Sequence, residues 1–456
     1  MTITGNSAVG RNAGFGAPTT GLEKSLIALA IVALPTENHF LFIPAFSLQF
    51  ILFGIIAVYI VLNRFSELLN TVGHPALLSA YLFLTIGFLL EWTHDHASYY
   101  ELIRVAQMIG GAILIACLCR DLPALRMACY GYLTAGLYLS ILLFFTAYGA
   151  LSASTASDFQ EASMLRAEVF EDNPLQANLN NMAFGAAQAA VVALSWGFLA
   201  RRTLPRGFYV AAGLICLIGT FLSLSRSGVA IALASCTGVM YAFGLRHAKG
   251  FLIAALLAGA VLMLVPQAVW SRMSFTFEKH EGKTEGRALV YGTAIDHLPE
   301  YFMTGVGAGN FWTSWGRRTE FASVSGRVSG AHNCLMQVTL YWGILGLMGF
   351  LLVFWQAYRC VPRCAGREAA ALTLIGIGIS TLLFSMVSHN IYAKEFTLAL
   401  GLLVGSHRWI WPQGFVYSPS GLKSQRPLYG ARRGPNHPSS GLTGLEGLLK
   451  TRNSSL

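Results

Sequence analysis

Apolar runs recur along most of the chain, at 21-42, 47-63, 76-92, 98-119, 124-149, 179-199, 207-223, 228-245, 250-267, 333-358, 369-388 and 391-411. A helix of such length crosses roughly 30 Å of hydrocarbon. The pattern predicts an all-α integral membrane protein with about 12 transmembrane helices, the first of them interrupted by Pro35, Glu37 and His39. Two longer polar stretches divide the runs, Leu151 to Leu175 and Ala268 to Ala331. The domain reading follows: a short N-terminal segment at 1-20, a polytopic membrane domain at 21-411 with the large loop 268-331 inside it, and a tail at 412-456. The tail is rich in Gly, Pro, Ser and Arg, a composition that predicts disorder. No small-x-small cleavage site precedes the first apolar run, so the N-terminus is read as retained.

One stretch strains the pattern. From Val210 to Leu245 the only fixed charge is Arg226, set in "SLSRSG". An arginine at the centre of a bilayer costs several kcal/mol on most scales. Residues 210-245 are too long for one span, however, and fit two, with the serines and Gly228 as the turn between them. Arg226 then lies near an interface, among small residues that leave room for a ligand.

Composition supports a membrane protein. Of 456 residues, 54% are hydrophobic and 11% charged, against about 25% charged in an ordinary soluble domain. The net charge of +10 does not indicate nucleic acid, because no aromatic-interleaved basic patch occurs and the basic residues cluster at the ends of apolar runs. Membrane lipids are the partner such residues suit. Short loops after the second, fourth, sixth, eighth and tenth runs carry eleven Lys and Arg (Arg64, Arg120, Arg126, Arg201, Arg202, Arg206, Arg246, Lys249, Arg359, Arg363 and Arg367). Those after the first, third, fifth, seventh and eleventh carry three, Arg166, Arg226 and Lys394. By the positive-inside rule the first group is cytoplasmic, both termini are cytoplasmic, and both long polar stretches share the outer face with Arg226. The eight cysteines form no pair of CxxC motifs and no Cys/His cluster close in sequence, so neither a metal nor another cofactor is expected.

Three places could carry chemistry. Arg226 is either an anion ligand or an interfacial anchor, and the outer placement counts against the anchor. In "TEGRALVYGTAIDHLPEY", Ala288, Tyr291, Ile295 and Leu298 fall at helical spacing, which predicts an amphipathic surface helix ended by Pro299. Arg287 opens it, where a cation is disfavoured unless an anion joins it and the free N–H groups; the alternative is a solvated arginine paired with Glu281 or Glu285. In "SGAHNCLMQVTLYWGILGL", His332 and Asn333 precede a long apolar helix. The helix N-terminus favours a neutral imidazole able to accept a proton, and a plain neighbour of the N-cap is the alternative. "GVGAGNF" at Gly305 to Phe311 lacks the strand and helix of a phosphate-cradling fingerprint and reads as a close-packed turn. Glu101 and Arg104, three apart, read as a structural pair, with a transport site as the alternative.

Together "SLSRSG", "EGRALVYGTAIDHLPEYFMTGVGAGNF" and "AHNCLMQVTLYWGILGL" resemble the O-antigen ligase and polymerase family of bacterial envelope glycosyltransferases, over roughly residues 160 to 350. The resemblance implies a GT-C-like architecture in the inner membrane. It also implies transfer from an undecaprenyl-diphosphate-linked glycan, at the periplasmic face, to a lipid A core or growing polysaccharide. Arg226 and Arg287 match arginines that hold the diphosphate, and His332, before Asn333, matches the catalytic histidine. Upstream, "RAEVFEDNPLQANLNNMAF" lacks the family's usual glycine, and Arg166 and Asn181 are the nearest equivalents. On this reading the arginines take up leaving-group charge without metal, His332 deprotonates the acceptor, and one displacement inverts the anomeric centre. Glu168, Glu171 and Asp172 are alternative bases, ahead of Glu278, Glu281 and Glu285, which read as a solvated charged face. A transporter of an anion or glycan precursor is the alternative from another class, disfavoured by the lack of an internal repeat.

Overall fold

The computed structural model describes residues 18–33, 41–43, 46–94, 97–153, 178–200, 202–243, 286–318, 330–362, 368–388 and 394–410, and positions 259, 263, 267, 269, 270, 328 and 391. Helix breakers and charges set the first element ends. Helix α1, Gly21–Ala33, stops just ahead of Pro35, as the steric restriction on residues before proline requires. The expected first span to residue 42 is corrected here: Leu41–Ile43 (β1) and Phe46–Ser47 (β2) form an antiparallel pair. All other described elements are helical, as expected of an all-α membrane protein.

Helix α2, Leu48–Asn63, is followed by an element that the hydropathy reading lacked, α3, Phe65–Val72, turned by 106° from it. Pro75 at the first turn and the His74 cap then start α4, Pro75–Trp92, where proline's missing N–H does no harm. The helices α5 (Tyr100–Leu118), α6 (Leu122–Ala153), α7 (Leu179–Leu199), α8 (Thr203–Leu222) and α9 (Arg226–Phe243) follow. After them come two short helices, α10 (Gly286–Asp296) and α11 (Leu298–Tyr301), then α12 (Cys334–Arg359), α13 (Ala369–Val387) and α14 (Lys394–Gly405). A π-helical turn, Ser406–Ile410, continues α14. Pro299 lies within α11 rather than ending the loop helix, which already stops at Asp296.

Among the described residues seven helices are long and apolar enough to cross a membrane, and the bent α2–α3 pair makes an eighth if taken as one span. The chain is a multi-pass integral membrane protein. Nearly all of the expected ninth run at 250-267, nearly all of segment 1-20 and the tail 412-456 lie outside the described residues, and the large loop 268-331 is described in part.

The helices pack in groups: α6 with α7 and α8, α7 and α9 with α13, α4 with α12, and α5 with α14. Small residues permit this. A side chain on Gly219 of α8 would meet Ser140 of α6 at 2.4 Å, and one on Gly376 of α13 would meet Val191 of α7 at 2.2 Å. Close backbone approach of this kind replaces the hydrophobic driving force that helices in lipid lack. The packing also fixes direction. Helix α13 runs antiparallel to α7 and α9: Phe384 near its end stacks on Phe184 near the start of α7 at 4.2 Å, and its middle residues Gly376 and Ile379 approach Val239 and Gly238 towards the end of α9. The end at which α7 and α9 begin holds Arg226.

Buried charge ties the other end. Glu23 of α1, fully buried, receives Arg64 Nε at 2.8 Å and Arg120 Nη2 at 3.1 Å, while Arg120 Nη1 reaches Glu67 of α3 at 3.2 Å. The sharp turn at Arg64 is therefore held by its own guanidinium. Arg64 and Arg120 are members of an ion-pair network joining α1, α3 and the α5–α6 turn, beyond the role of loop cations.

Candidate functional site

The "SLSRSG" segment forms the expected turn between two helices. Ser223 caps α8, Leu224 takes a left-handed backbone with φ +55°, and Arg226 is the first residue of α9. Buried Ser225 organises the turn: its hydroxyl donates to Asn180 Oδ1 at 2.8 Å and accepts from the Gly228 N–H at 3.1 Å. Asn178 in turn caps α7 through the Asn180 N–H. The turn bearing Arg226 and the first turn of α7, which carries Asn181, are thereby brought together. A Cβ on Gly228 would stand 2.5 Å from Ala183 of α7, so glycine is what lets the two helix starts touch. Val269 and Trp270, from the start of the large loop, pack on the same cluster, with Trp270 6.3 Å from Phe221.

His332 has the other left-handed non-glycine backbone among the described residues, φ +52°. Its neighbours are fixed on both sides. The buried Gln337 Oε1 accepts from the Ala331 N–H at 2.7 Å, and Asn333 caps α12 by accepting from the Leu335 and Met336 N–H groups at 2.9 and 3.1 Å. A non-glycine residue in this region typically costs about 1–3 kcal/mol and persists only where its surroundings impose it, which is most often at a functional site. Asn333 acts in this frame as the cap that sets the histidine.

Arg287 lies in the first turn of α10, as expected. On that helix Val290, Thr293 and Ala294 face protein, while Ile295 is 66% exposed and Leu298, which opens α11, also faces outward. The expected apolar stripe is therefore split. Part of the apolar surface packs inward and part remains open, as a helix at a membrane surface requires. Val290, Ala294 and Tyr301, like Ala331 and Cys334, are buried in the main hydrophobic core of the bundle. Tyr301 donates to the Ala294 carbonyl at 2.5 Å, and burial pushes its phenol up to about 12. Arg166 and the acidic candidates Glu168, Glu171, Asp172, Glu278, Glu281 and Glu285 lie outside the described residues.

The glycine-rich "GVGAGNF" is a close-packed turn with an unforeseen anchor. Helix α12 breaks at Trp342 and Gly343, and the turn fills the break: Val306 N–H donates to Leu340 O, Gly307 N–H to Tyr341 O, and Ile344 N–H to Phe302 O. Gly305 and Gly307 have φ of +77° and +81°. The fully buried Glu91 of α4 receives the N–H groups of Ala308 at 2.8 Å, Gly309 at 3.0 Å and Ser98 at 2.8 Å, and the Trp342 indole N–H at 3.1 Å. The backbone donors that could have cradled a phosphate are occupied by this carboxylate. Beyond the turn Trp315 donates to Glu300 and Trp312 to the Tyr341 hydroxyl. Sequence reasoning missed Glu91, Ser225, Asn180 and Gln337; each is a polar residue in or beside an apolar run, a signal that Glu91 and Gln337 gave most clearly.

Arg104 of the expected Glu101/Arg104 pair lies over the Tyr100 ring, 4.1 Å from its centroid, so the cation is held by an aromatic face. No curated protein matches the chain significantly. A family model described as O-antigen ligase matches residues 210–351, which contain Arg226, Arg287, His332 and Asn333. Over this segment the chain is similar to the O-antigen ligases, membrane proteins that join glycans.

Proposed function

We propose that the chain transfers a glycan from an undecaprenyl-diphosphate donor to a hydroxyl acceptor, either a lipid A core or a growing polysaccharide, at the periplasmic face of a bacterial inner membrane. Arg226 and Arg287 bind the diphosphate and take up the charge that develops as the C1–O bond breaks. His332 accepts the proton of the acceptor hydroxyl as it attacks C1, so a single displacement inverts that centre. Asn181 and Arg166 contribute to the donor site, and Asn333 sets His332. No metal enters this scheme: two guanidinium groups supply the positive charge.

The observation that carries the reading is the pair of left-handed residues. Leu224 and His332 are the non-glycine positions among the described residues that hold this backbone. One shapes the turn of Arg226 and the other is the proposed base, and both lie in the matched segment. In a carrier the unwound segments of a broken helix line a cavity, whereas the break in α12 is filled by protein backbone and Glu91.

The test is transfer by the purified protein from an undecaprenyl-diphosphate oligosaccharide, with chelator present and no nucleotide. Arg226→Ala and His332→Ala are each expected to lower the rate by at least about a hundredfold, the usual scale for a general base or charge stabiliser, with the protein still folded. A ladder of products identifies a polymerase and a single capped acceptor a ligase. A near-normal rate in either variant removes that residue from the mechanism. Absence of product with both acceptors turns the weight to transport.

A further inference from the structure

At the end of the bundle remote from Arg226 and His332, three metal-ligating side chains converge from distant parts of the sequence. His74 caps α4, Cys360 follows the last residue of α12, and His407 lies in the π-helical turn after α14. Their ligand atoms all lie within 4.8 Å of one another. His74 and Cys360 are buried and His407 partly so. No linear motif announces this cluster, because the nearest two members are separated by the whole of α13 and α14.

The two imidazoles already have a coordinating geometry. His74 Nε2 stands 3.2 Å from His407 Nδ1. Two nitrogens bound to one tetrahedral ion at about 2.0–2.1 Å lie roughly 3.3 Å apart. The rings meet edge to face at 81° and are not stacked on one another. The thiol must close by about 1 Å to reach the length of a metal–sulfur bond to an ion held by both nitrogens. Little holds it back: Cys360 Sγ donates one weak bond, 3.3 Å, to Gln356 O. A plain histidine–histidine hydrogen bond also explains the 3.2 Å distance, but it gives a buried thiol at the same point no role. Arg359 and Arg408 adjoin two of the ligands in sequence, which favours a site of low net charge. Two neutral imidazoles and one thiolate supply a single negative charge, suited to a soft cation.

We propose that His74, Cys360 and His407 form a two-nitrogen, one-sulfur site for a soft, filled-shell cation of the zinc(II) or copper(I) class, clasping the ends of α4, α12 and α14. On binding, the thiol releases its proton to solvent. His74, which caps α4 by accepting the Ala76 N–H at Nδ1 over 3.3 Å, moves its ring proton from Nε2 to Nδ1 and gives up that long bond. Zinc takes water as a fourth ligand, and copper(I) is satisfied by three. The clasp is structural and stands apart from the glycan transfer proposed above.

The experiment uses the full chain, purified in detergent and stripped with chelator. Cobalt(II) serves as the spectroscopic probe for zinc, and copper(I) is titrated without oxygen against a chromophoric chelator. Wild type should bind one equivalent of at least one of these, and cobalt should bring a thiolate charge-transfer band. Cys360→Ser, nearly isosteric, should abolish the band, and His407→Asn should weaken binding about tenfold or more. Zinc or copper(I) should raise the thermal midpoint of wild type and not of Cys360→Ser, whose metal-free midpoint should equal that of metal-free wild type. Survival of one metal under chelator competition tells zinc from copper. The proposal is overturned if neither metal shifts the wild-type midpoint, or if band and shift persist in Cys360→Ser.

Discussion

Glutamine in place of Glu91 keeps the shape of the side chain and removes half of its acceptors. In the native structure one carboxylate oxygen receives the Ser98 and Gly309 N–H groups and the other those of Ala308 and the Trp342 indole. Four donors and a buried site suit a carboxylate and do not suit an amide. Whichever way the amide turns, its NH2 group faces two N–H donors, so two charge-assisted bonds are lost and their donors stay buried. At about 1.5–3 kcal/mol for each such bond, the expected cost is about 3–6 kcal/mol. The loss is local, because Glu91 links α4 to the turn at 305–309 and to the break in α12. Hydrogen exchange of peptides covering 302–311 therefore reads it directly. Protection there should fall about a hundredfold or more, since each 1.4 kcal/mol is about tenfold, while the α5–α14 pair exchanges as before. Transfer should fall with it, because the same turn leads from the helix of Arg287 towards His332. Unchanged protection at 302–311 in Glu91→Gln would refute the reasoning, since it would mean that the carboxylate does not hold the turn.

Two further substitutions test other parts of the structure. Gly343 has φ +60° and ψ −159°, a region open essentially to glycine alone, and a Cβ there would stand 2.4 Å from Met303 O. Gly343→Ala should cost about 3 kcal/mol or more, the sum of strain and overpacking, and a thermal midpoint equal to wild type counts against the described break. Arg120→Ala leaves the fully buried Glu23 with one cationic partner and Glu67 with a longer contact to Arg64. Removing one member of such a network costs about 3–5 kcal/mol, and added salt should not change the effect; a small or strongly salt-dependent shift in denaturation would show that the network is solvated.

Hydropathy located the long helices because a membrane span needs a continuous apolar run and little else. It located α8 and α9 on either side of "SLSRSG" for the same reason. It did not find the end of α1 at Ala33, the β pair or the 106° turn after α2, since each depends on local backbone geometry within or beside an apolar segment. The turn after α2 shows the difficulty well. What bends the chain at Arg64 is a partner 41 residues earlier, Glu23, and pairing across helices leaves no periodic trace. The same holds for the His74, Cys360 and His407 cluster. Spacing rules detect ligands that are close in sequence, whereas a helical bundle assembles ligands from element ends.

The same contrast applies to the limits of the proposed transfer site. The segment 210–351 contains Arg226, Arg287 and His332, but it is not self-sufficient. Two of the contacts that shape it come from outside. Asn180 of α7 receives the Ser225 hydroxyl that builds the Arg226 turn, and Glu91 of α4 holds the turn at 305–309 against α12. Within the segment these places are rich in serine and glycine, whose small size lets another helix approach. The groups that fix the geometry are polar residues on α4 and α7, where they are surrounded by apolar sequence and are expensive to bury. A membrane helix keeps such a residue only if its hydrogen bonds are satisfied elsewhere in the fold. A search for the determinants of this site should therefore begin with buried polar residues on the neighbouring helices, because their partners mark the backbone that the chemistry requires to be fixed.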